Sequence, residues 1–427
     1  MATLAGTSAL NEQRRDMRHS DNNNNMIRNE TYSRPVEQTA EDASAKPALS
    51  SIISVHDFED VARQSFSEKA YAFYSSAATD LVSHNANLMC QRKLLLRPKV
   101  LRNVKNVTTK RSILGSDSSA PFFFSPAAMA TLAHEEGELA VARACANEGI
   151  VQMVSSNASY PLADIVSAGK PEQPFFLQLY VNSDRSKTEE LLLSAKKLGI
   201  KAILLTVDAP VPGKREADER IAAGNVSAAI SGAVATNDKR GGGLGRGMGK
   251  YIDSTLCWED LAWIKRVSGL PLVLKGIQTA SDARKAVKFG AEGILLSNHG
   301  GRSLDTTQPA MMTLLELHKC APEVFAHLEV YVDGGFTRGT DILKAIALGA
   351  TAVGIGRPWL YALTYGQEGV EHLCDILKDE LMTSMKLSGI TDVDEAHPGM
   401  VNTAGLEPLV RNSEDHPWIR WQPKARL

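Results

Sequence analysis

The sequence predicts a (β/α)8 barrel, and three observations carry the prediction. From Pro121 onward, short apolar runs alternate with amphipathic helical stretches. Each apolar run is hydrophobic on both faces, as a parallel strand covered by helices must be. Four of the helical patterns end on a glycine: Gly149, Gly199, Gly290 and Gly349. Glycine takes the left-handed conformation that stops a helix at no steric cost. A doubly wound sheet is the alternative. It would place a glycine fingerprint after its first strand, and Pro126-Ala127-Ala128-Met129 is not one.

Taken in order, residues 1–50 read as a tail. They hold Asn22-Asn23-Asn24-Asn25, mixed charges and few large apolar residues, too little to offset chain entropy. Arg14, Arg15 and Arg18 suggest a transit peptide, but Glu12, Asp16 and Asp21 lie among them, and transit peptides are poor in acids. Order begins near Ile52, where Val55, Phe58, Val61 and Ala62 recur at helical spacing and Asp57 can cap. A second helix is expected over 68–78. The eight strand candidates are 122–127, 150–155, 175–181, 202–207, 272–275, 293–297, 329–332 and 352–355. Helical patterns between them include 138–147, 188–197, 280–289 and 340–348. The barrel is thus read as 51–390, followed by an extension over 391–427.

One connection is anomalous. About 209–256 separates the fourth strand from its helix and carries small residues and the run Gly241-Gly242-Gly243-Leu244-Gly245-Arg246-Gly247-Met248-Gly249. The run does not match a dinucleotide fingerprint and joins no strand to a helix. A mobile lid with a short helix or hairpin inside it is the better reading.

Composition removes several function classes. Lys plus Arg number 47 and Asp plus Glu 49, for a net charge of −2. That balance does not suit a bulk nucleic-acid binder or a polybasic membrane-surface protein. The five cysteines (Cys90, Cys145, Cys257, Cys320, Cys374) are odd in number and lack a C-x-x-C. Neither a disulfide framework nor an ordinary zinc site follows from them, and no metal is expected.

In such a barrel the chemistry sits at the carboxyl ends of the strands. The last two strands end in Asp333-Gly334-Gly335 and Gly354-Ile355-Gly356-Arg357. Glycines there let backbone N–H groups approach an anion, and arginine adds a fork of donors, so a phosphate site is expected. The sixth strand runs into Ser297-Asn298-His299-Gly300-Gly301-Arg302. A neutral histidine is a base near pH 7. Arginine grips a carboxylate bidentately. Together they suit removal of a proton from a 2-hydroxy acid, with Arg215 completing the clamp and Asp208 supporting the imidazolium. Lys275, at a buried strand end, needs an electron-rich partner, and the pyrimidine edge of a reduced flavin is one. A Schiff-base lysine is the rival reading.

These residues resemble the signature of the FMN-dependent α-hydroxy acid oxidases and dehydrogenases. That family includes glycolate oxidase, mandelate dehydrogenase and the flavin domain of haem-linked L-lactate dehydrogenase. The Ser297–Asp305 run is the first match, written out as Ser297-Asn298-His299-Gly300-Gly301-Arg302-Ser303-Leu304-Asp305. Six further matches follow the family's order: Ser125-Pro126-Ala127-Ala128-Met129, Gln178-Leu179-Tyr180, Thr206-Val207-Asp208, Arg215-Glu216-Ala217-Asp218, Lys275-Gly276 and Asp333-Gly334-Gly335. Gly356-Arg357-Pro358 closes the set. The resemblance implies that His299 is the base, with Asp208 behind it and Tyr180 bonded to the substrate oxygen. It implies that Arg215 and Arg302 hold the carboxylate. Pro126, Ala127, Ala128, Ser155, Gln178, Thr206, Lys275 and Ser297 would then line FMN. Asp333, Gly334, Gly335, Gly356 and Arg357 would hold its ribityl phosphate. A homotetramer is implied on the same ground.

Three positions depart from the pattern. Phe73 in Tyr71-Ala72-Phe73-Tyr74 replaces a tyrosine that usually contacts the substrate carboxylate. The lost bond to a charged group is worth about 1.5–3 kcal/mol unless Tyr74 swings in. Thr337 replaces an arginine on the flavin phosphate, and Asn157 replaces a pocket-shaping tryptophan of glycolate oxidases. A substrate outside the glycolate and lactate class is expected, larger and more apolar, with a tailoring oxidase or dehydrogenase of a specialised biosynthetic pathway as the alternative function. The tail offers only His19 where a haem module needs two axial ligands, so O2 is expected as the electron acceptor, with a quinone or a separate carrier as the alternative. Ala425-Arg426-Leu427 resembles a peroxisomal address. A flavin-barrel isomerase would lack the His299/Arg302 pair, and a silent FMN-binding protein would not bleach with any hydroxy acid.

Overall fold

The eight apolar runs become strands that hydrogen-bond in chain order and close on themselves. The structure is a computed structural model and describes residues 46–222, 224–235 and 243–413. The strands are β1 (Phe122–Phe124), β2 (Val151–Ser155), β3 (Phe175–Leu179), β4 (Ala202–Thr206), β5 (Leu272–Ile277), β6 (Gly293–Leu296), β7 (Glu329–Asp333) and β8 (Ala352–Ile355). All pairings around the barrel are parallel. β1 and β3 are shorter than expected. In β1 the reason is Pro126, which has no N–H to give the ladder.

Alternation sorts the side chains. Phe123, Val151, Met153, Phe176, Leu204, Val273, Leu295 and Tyr331 fill the barrel interior. Ile113 joins them from a hairpin, Arg111–Ile113 paired with Ser116–Ser118, which the sequence reading missed. Neighbours such as Phe122, Phe124, Leu177, Ile203 and Leu274 point outward to the helices. These are α1 (Gly137–Glu148), α2 (Leu162–Ala168), α3 (Arg185–Lys197), α4 (Leu261–Ser268), α5 (Ala280–Lys288), α6 (Ala310–Cys320), α7 (Gly339–Ala347) and α8 (Gly366–Ser388). Glycine stops follow α1, α3, α5 and α7 as expected.

Three helices precede the barrel: Val55–Ser65, Glu68–Ser75 and Val82–Lys93. Ser54, not Asp57, is the cap of the first; Asp57 answers from the third position by accepting the Ser54 N–H, which completes a capping box. A 3-10 turn over Leu49–Ser51 lies ahead of the expected start of order. The 209–256 connection holds both features allowed for it: a hairpin, Val226–Ser227 paired with Val234–Ala235, and a helix, Leu244–Met248. A further short helix, Glu216–Arg220, precedes them. After α8 the chain packs back: Val401–Asn402 pairs with Leu95–Leu96, and Met400 and Leu406 are buried. The greater part of the expected tail, Gly241, Gly242 and the closing Ala425-Arg426-Leu427 lie outside the described residues. No helix among the described residues is long and apolar enough to cross a membrane.

Candidate active site

β6 ends in a turn where His299, Gly300 and Gly301 all have positive φ. A histidine there is uncommon and strained by a few kcal/mol at most. The conformation is held by the Asn298 side chain, which accepts from Gly301 N, and by Ser297 Oγ, which accepts from His299 N at 3.0 Å. His299 Nδ1 then lies 2.8 Å from Asp208 Oδ1. With Asp208 ionised, Nδ1 carries the proton, so Nε2 presents its lone pair 3.4 Å from Tyr180 Oη. Burial holds the imidazole pKa below 6.5, against the pull of Asp208 and with the repulsion of Lys275, so His299 is neutral at pH 7. Burial also pushes the Tyr180 hydroxyl well up, which keeps it a proton donor.

Asp208 follows β4 and is completely enclosed. Burial alone would raise its pKa; His299 and Lys275 outweigh that and hold it low. The approach depends on Gly276. β5 slips register between Lys275 and Ile277, Gly276 has φ +109°, and a Cβ there would lie 2.5 Å from Asp208 Cβ. Lys275 Nζ sits 3.2 Å from Ser297 Oγ, 3.6 Å from Asp333 Oδ2 and 4.0 Å from Asp208 Oδ2. Burial opposes its charge, but the two carboxylates win and lift its pKa above 10.5. An ammonium held that way is a poor Schiff-base nucleophile.

Three guanidiniums share the same region. Arg302 donates to Tyr74 O and Ser76 O at 2.8 Å and to Phe73 O at 2.9 Å. Arg357 donates to Tyr74 O, Ser76 O and Gly300 O and meets His84 Nδ1 at 3.0 Å. Both therefore satisfy the carbonyls around the end of the Glu68–Ser75 helix, where the dipole is negative. Four of the five Arg357 N–H groups are used, two on those carbonyls and the others on Gly300 O and His84 Nδ1, a commitment that strand-end placement alone did not reveal. His84 is neutral, its pKa lowered to about 4 by burial and by Arg357 and Arg302. Among the described residues Arg215 spends only Nε, on Arg302 O at 3.2 Å. Burial and then mutual repulsion with Arg215 and Arg357 depress the Arg302 pKa, so the region favours an anion.

All but two of the sequence-predicted residues line one cavity of about 290 Å³. Phe73, Tyr180, Arg215, His299 and Arg302 border it, as do Pro126, Ala127, Ala128, Ser155, Gln178, Thr206 and Lys275. Asp333, Gly334, Gly335, Gly356 and Arg357 border it too. Asp208 and Ser297 stand behind the wall. A Cβ at Gly335 would meet Asn87 O at 2.6 Å, so close packing of the Val82–Lys93 helix accounts for that glycine without any anion. Ser125 Oγ and Asp333 Oδ1 are buried without partners among the described residues, and both residues border the cavity, which suits a polar ligand. Gln178 is set by Ser156 N and Ser155 Oγ on its oxygen and by Thr206 Oγ1 on its nitrogen.

Tyr74 does not substitute for the missing tyrosine: its hydroxyl donates to Met129 O at 2.6 Å. The Phe73 ring instead faces Arg302, with the guanidinium carbon 5.4 Å from its centroid. Sequence reasoning missed Met248 and Ile252, which reach the cavity from the long connection. No local signal set them apart, because Val211, Ile221, Ile230, Leu244 and other apolar residues lie in the same stretch.

The family described as FMN-dependent dehydrogenase matches residues 62–403. L-lactate dehydrogenase (cytochrome) of Saccharomyces cerevisiae is 40% identical over 385 residues, covering 87% of this chain and 65% of that protein. The chain thus spans less than two thirds of that relative. A peroxisomal (S)-2-hydroxyacid oxidase of Arabidopsis thaliana is 38% identical, covering 83% of this chain and 98% of that one. The flavin-binding domain of baker's yeast flavocytochrome b2 superposes with a TM-score of 0.78 at 37% identity, covering 91% of this chain and 98% of that one.

Proposed function

The chain belongs to the FMN-dependent dehydrogenase family, and on that premise we propose that it oxidises a 2-hydroxy acid to the 2-oxo acid with FMN in the cavity. One observation carries the reading: a neutral His299 backed by Asp208 opens onto the cavity that Arg215 and Arg302 also border. FMN fits the residues present. Lys275, Gln178, Thr206, Ser155 and the Pro126-Ala127-Ala128 turn would hold its ring. The unpartnered Ser125 Oγ and Asp333 Oδ1, the glycines Gly334, Gly335 and Gly356, and the remaining Arg357 N–H would face its chain and phosphate. When bound, it takes up the two electrons that leave the substrate.

The protein's own part follows from the geometry. Arg215, whose Nε alone is bonded among the described residues, and Arg302 bind the carboxylate and fix which face of C2 is presented. Tyr180 donates to the substrate oxygen. His299 Nε2 receives the substrate proton, and the Asp208 carboxylate stabilises the imidazolium formed. The 209–256 segment acts as a lid that carries Arg215 and excludes water, over a flavin-binding barrel of 51–390.

The electron acceptor in this reading is O2, in keeping with relatives named oxidases. A peroxisomal location and a homotetramer belong to the same proposal. The location has support from the name of the Arabidopsis relative. Anaerobic mixing with a panel of 2-hydroxy acids tests the reaction: at least one should bleach the flavin, and none doing so would overturn it. Peroxide formed in air tests the acceptor. Deleting 425–427 from a tagged protein should disperse it if the location is correct.

A further inference from the structure

We propose that Asn157 is a specificity-determining residue whose side-chain N–H groups select 2-hydroxy acids bearing an acceptor oxygen on the side chain beyond C3. The inference rests on the reading above and adds the substrate class.

Asn157 lies two residues past β2, borders the cavity and is 5% exposed. Every other polar group it has is taken. Its N–H donates to Ser155 Oγ at 3.0 Å, and its carbonyl accepts from Met129 N at 3.0 Å. Its side-chain oxygen accepts from Ser231 Oγ at 2.7 Å and from Tyr251 Oη at 3.1 Å. The amide orientation is determined by those two donors. Ser231 Oγ already accepts from Ala233 N at 3.2 Å, so its proton is the one directed to Asn157. With Oδ1 taken by Ser231 and Tyr251, Nδ2 has no partner among the described residues, and the residue borders the cavity. A donor that a bound ligand covers without pairing costs about as much as a lost hydrogen bond, and an acceptor on the ligand avoids that cost.

The neighbourhood explains why the oxygen would belong to the substrate side chain. Asn157 follows β2, which pairs with the β3 strand that leads into Tyr180, and Ser156 Oγ accepts from Tyr180 N at 3.4 Å. The carboxylate partners Arg215 and Arg302 come from other elements, and the lining of the same cavity includes the apolar Phe73, Met248 and Ile252. A donor covered by the bound substrate discriminates strongly, because the analogue without the acceptor leaves the donor unpaired. Ser231 and Tyr251 are positioning residues. Both lie in the long connection, whose hairpin is fastened to the same loop by Ala229 N donating to Ala158 O at 2.9 Å.

The test compares 2-hydroxy-4-oxopentanoate with 2-hydroxy-4-methylpentanoate, similar in size but with and without the acceptor. Anaerobic flavin reduction by the wild type should favour the keto acid by roughly tenfold in rate constant over dissociation constant. Asn157→Leu should bring that ratio to about one, and Ser231→Ala should lower it part of the way with the flavin spectrum unchanged. If Asn157→Leu loses flavin, the Ser231→Ala, Tyr251→Phe double variant carries the test through the same ratio. A wild-type ratio near one, or a ratio that survives these variants, overturns the proposal while bleaching by either acid leaves the parent reading intact. Bleaching by no 2-hydroxy acid removes both.

Discussion

Two walls of the cavity are held by different forces. On the strand wall, Gln178, Thr206 and Lys275 are placed by ladder pairing, for example Lys275 beside Thr206 and Leu295. On the wall formed by the 209–256 connection, side-chain bonds take over. Asp218 accepts from Lys69 Nζ at 2.6 Å and from Gly245 N at 3.0 Å, and Arg246 pairs with Glu219 at 2.6 Å. Moving a strand end means breaking a closed sheet; moving the connection means breaking a few bonds to charged groups worth about 1.5–3 kcal/mol each. Chemistry that needs sub-ångström placement therefore sits on the first wall, and substrate choice can be retuned on the second. The proposed departures, Phe73 and Asn157, both adjoin the second.

The largest effect should come from the strand wall. His299→Gln is expected to slow anaerobic flavin reduction by about 10²–10⁴-fold with flavin retained. A loss under tenfold would place the proton transfer elsewhere. Asp208→Asn should cost about 10²-fold and shift the pH profile. His299 must be neutral to act, so the wild-type rate falls as pH drops through a pKa below 6.5. Asp208 raises that pKa, so its removal should move the acid limb to still lower pH. An acid limb that stays in place would break the assignment of the pair.

Arg215→Met, which touches both walls, should raise the half-saturating acid concentration by about 10–100-fold, read from the same reduction traces. Lys69→Met leaves the buried Asp218 carboxylate short of a cation and should speed proteolysis within the connection several-fold, with barrel circular dichroism unchanged. The smallest change is a gain: Phe73→Tyr should improve L-lactate or glycolate turnover by about 3- to 10-fold. No gain would mean that the Arg302–Phe73 face contact, rather than the missing hydroxyl, sets the preference.

The strand order, the helix stops and the residues at each strand end were legible from the chain alone, because periodicity and glycine placement are local properties. All eight strands lie within the runs the sequence marks, apart from an extension of β5 through Ile277 and of β7 to Asp333. Once the barrel is known, its alternation dictates which residues face its carboxyl end. Folding decided what local pattern does not encode. Arg302 and Arg357 spend their donors on carbonyls more than 200 residues earlier in the chain. Tyr74 is turned to Met129, and Asn157 is turned by hydroxyls 74 and 94 residues away. Each of these is a hydrogen bond between groups distant in sequence, and its partner exists only after the chain has closed on itself.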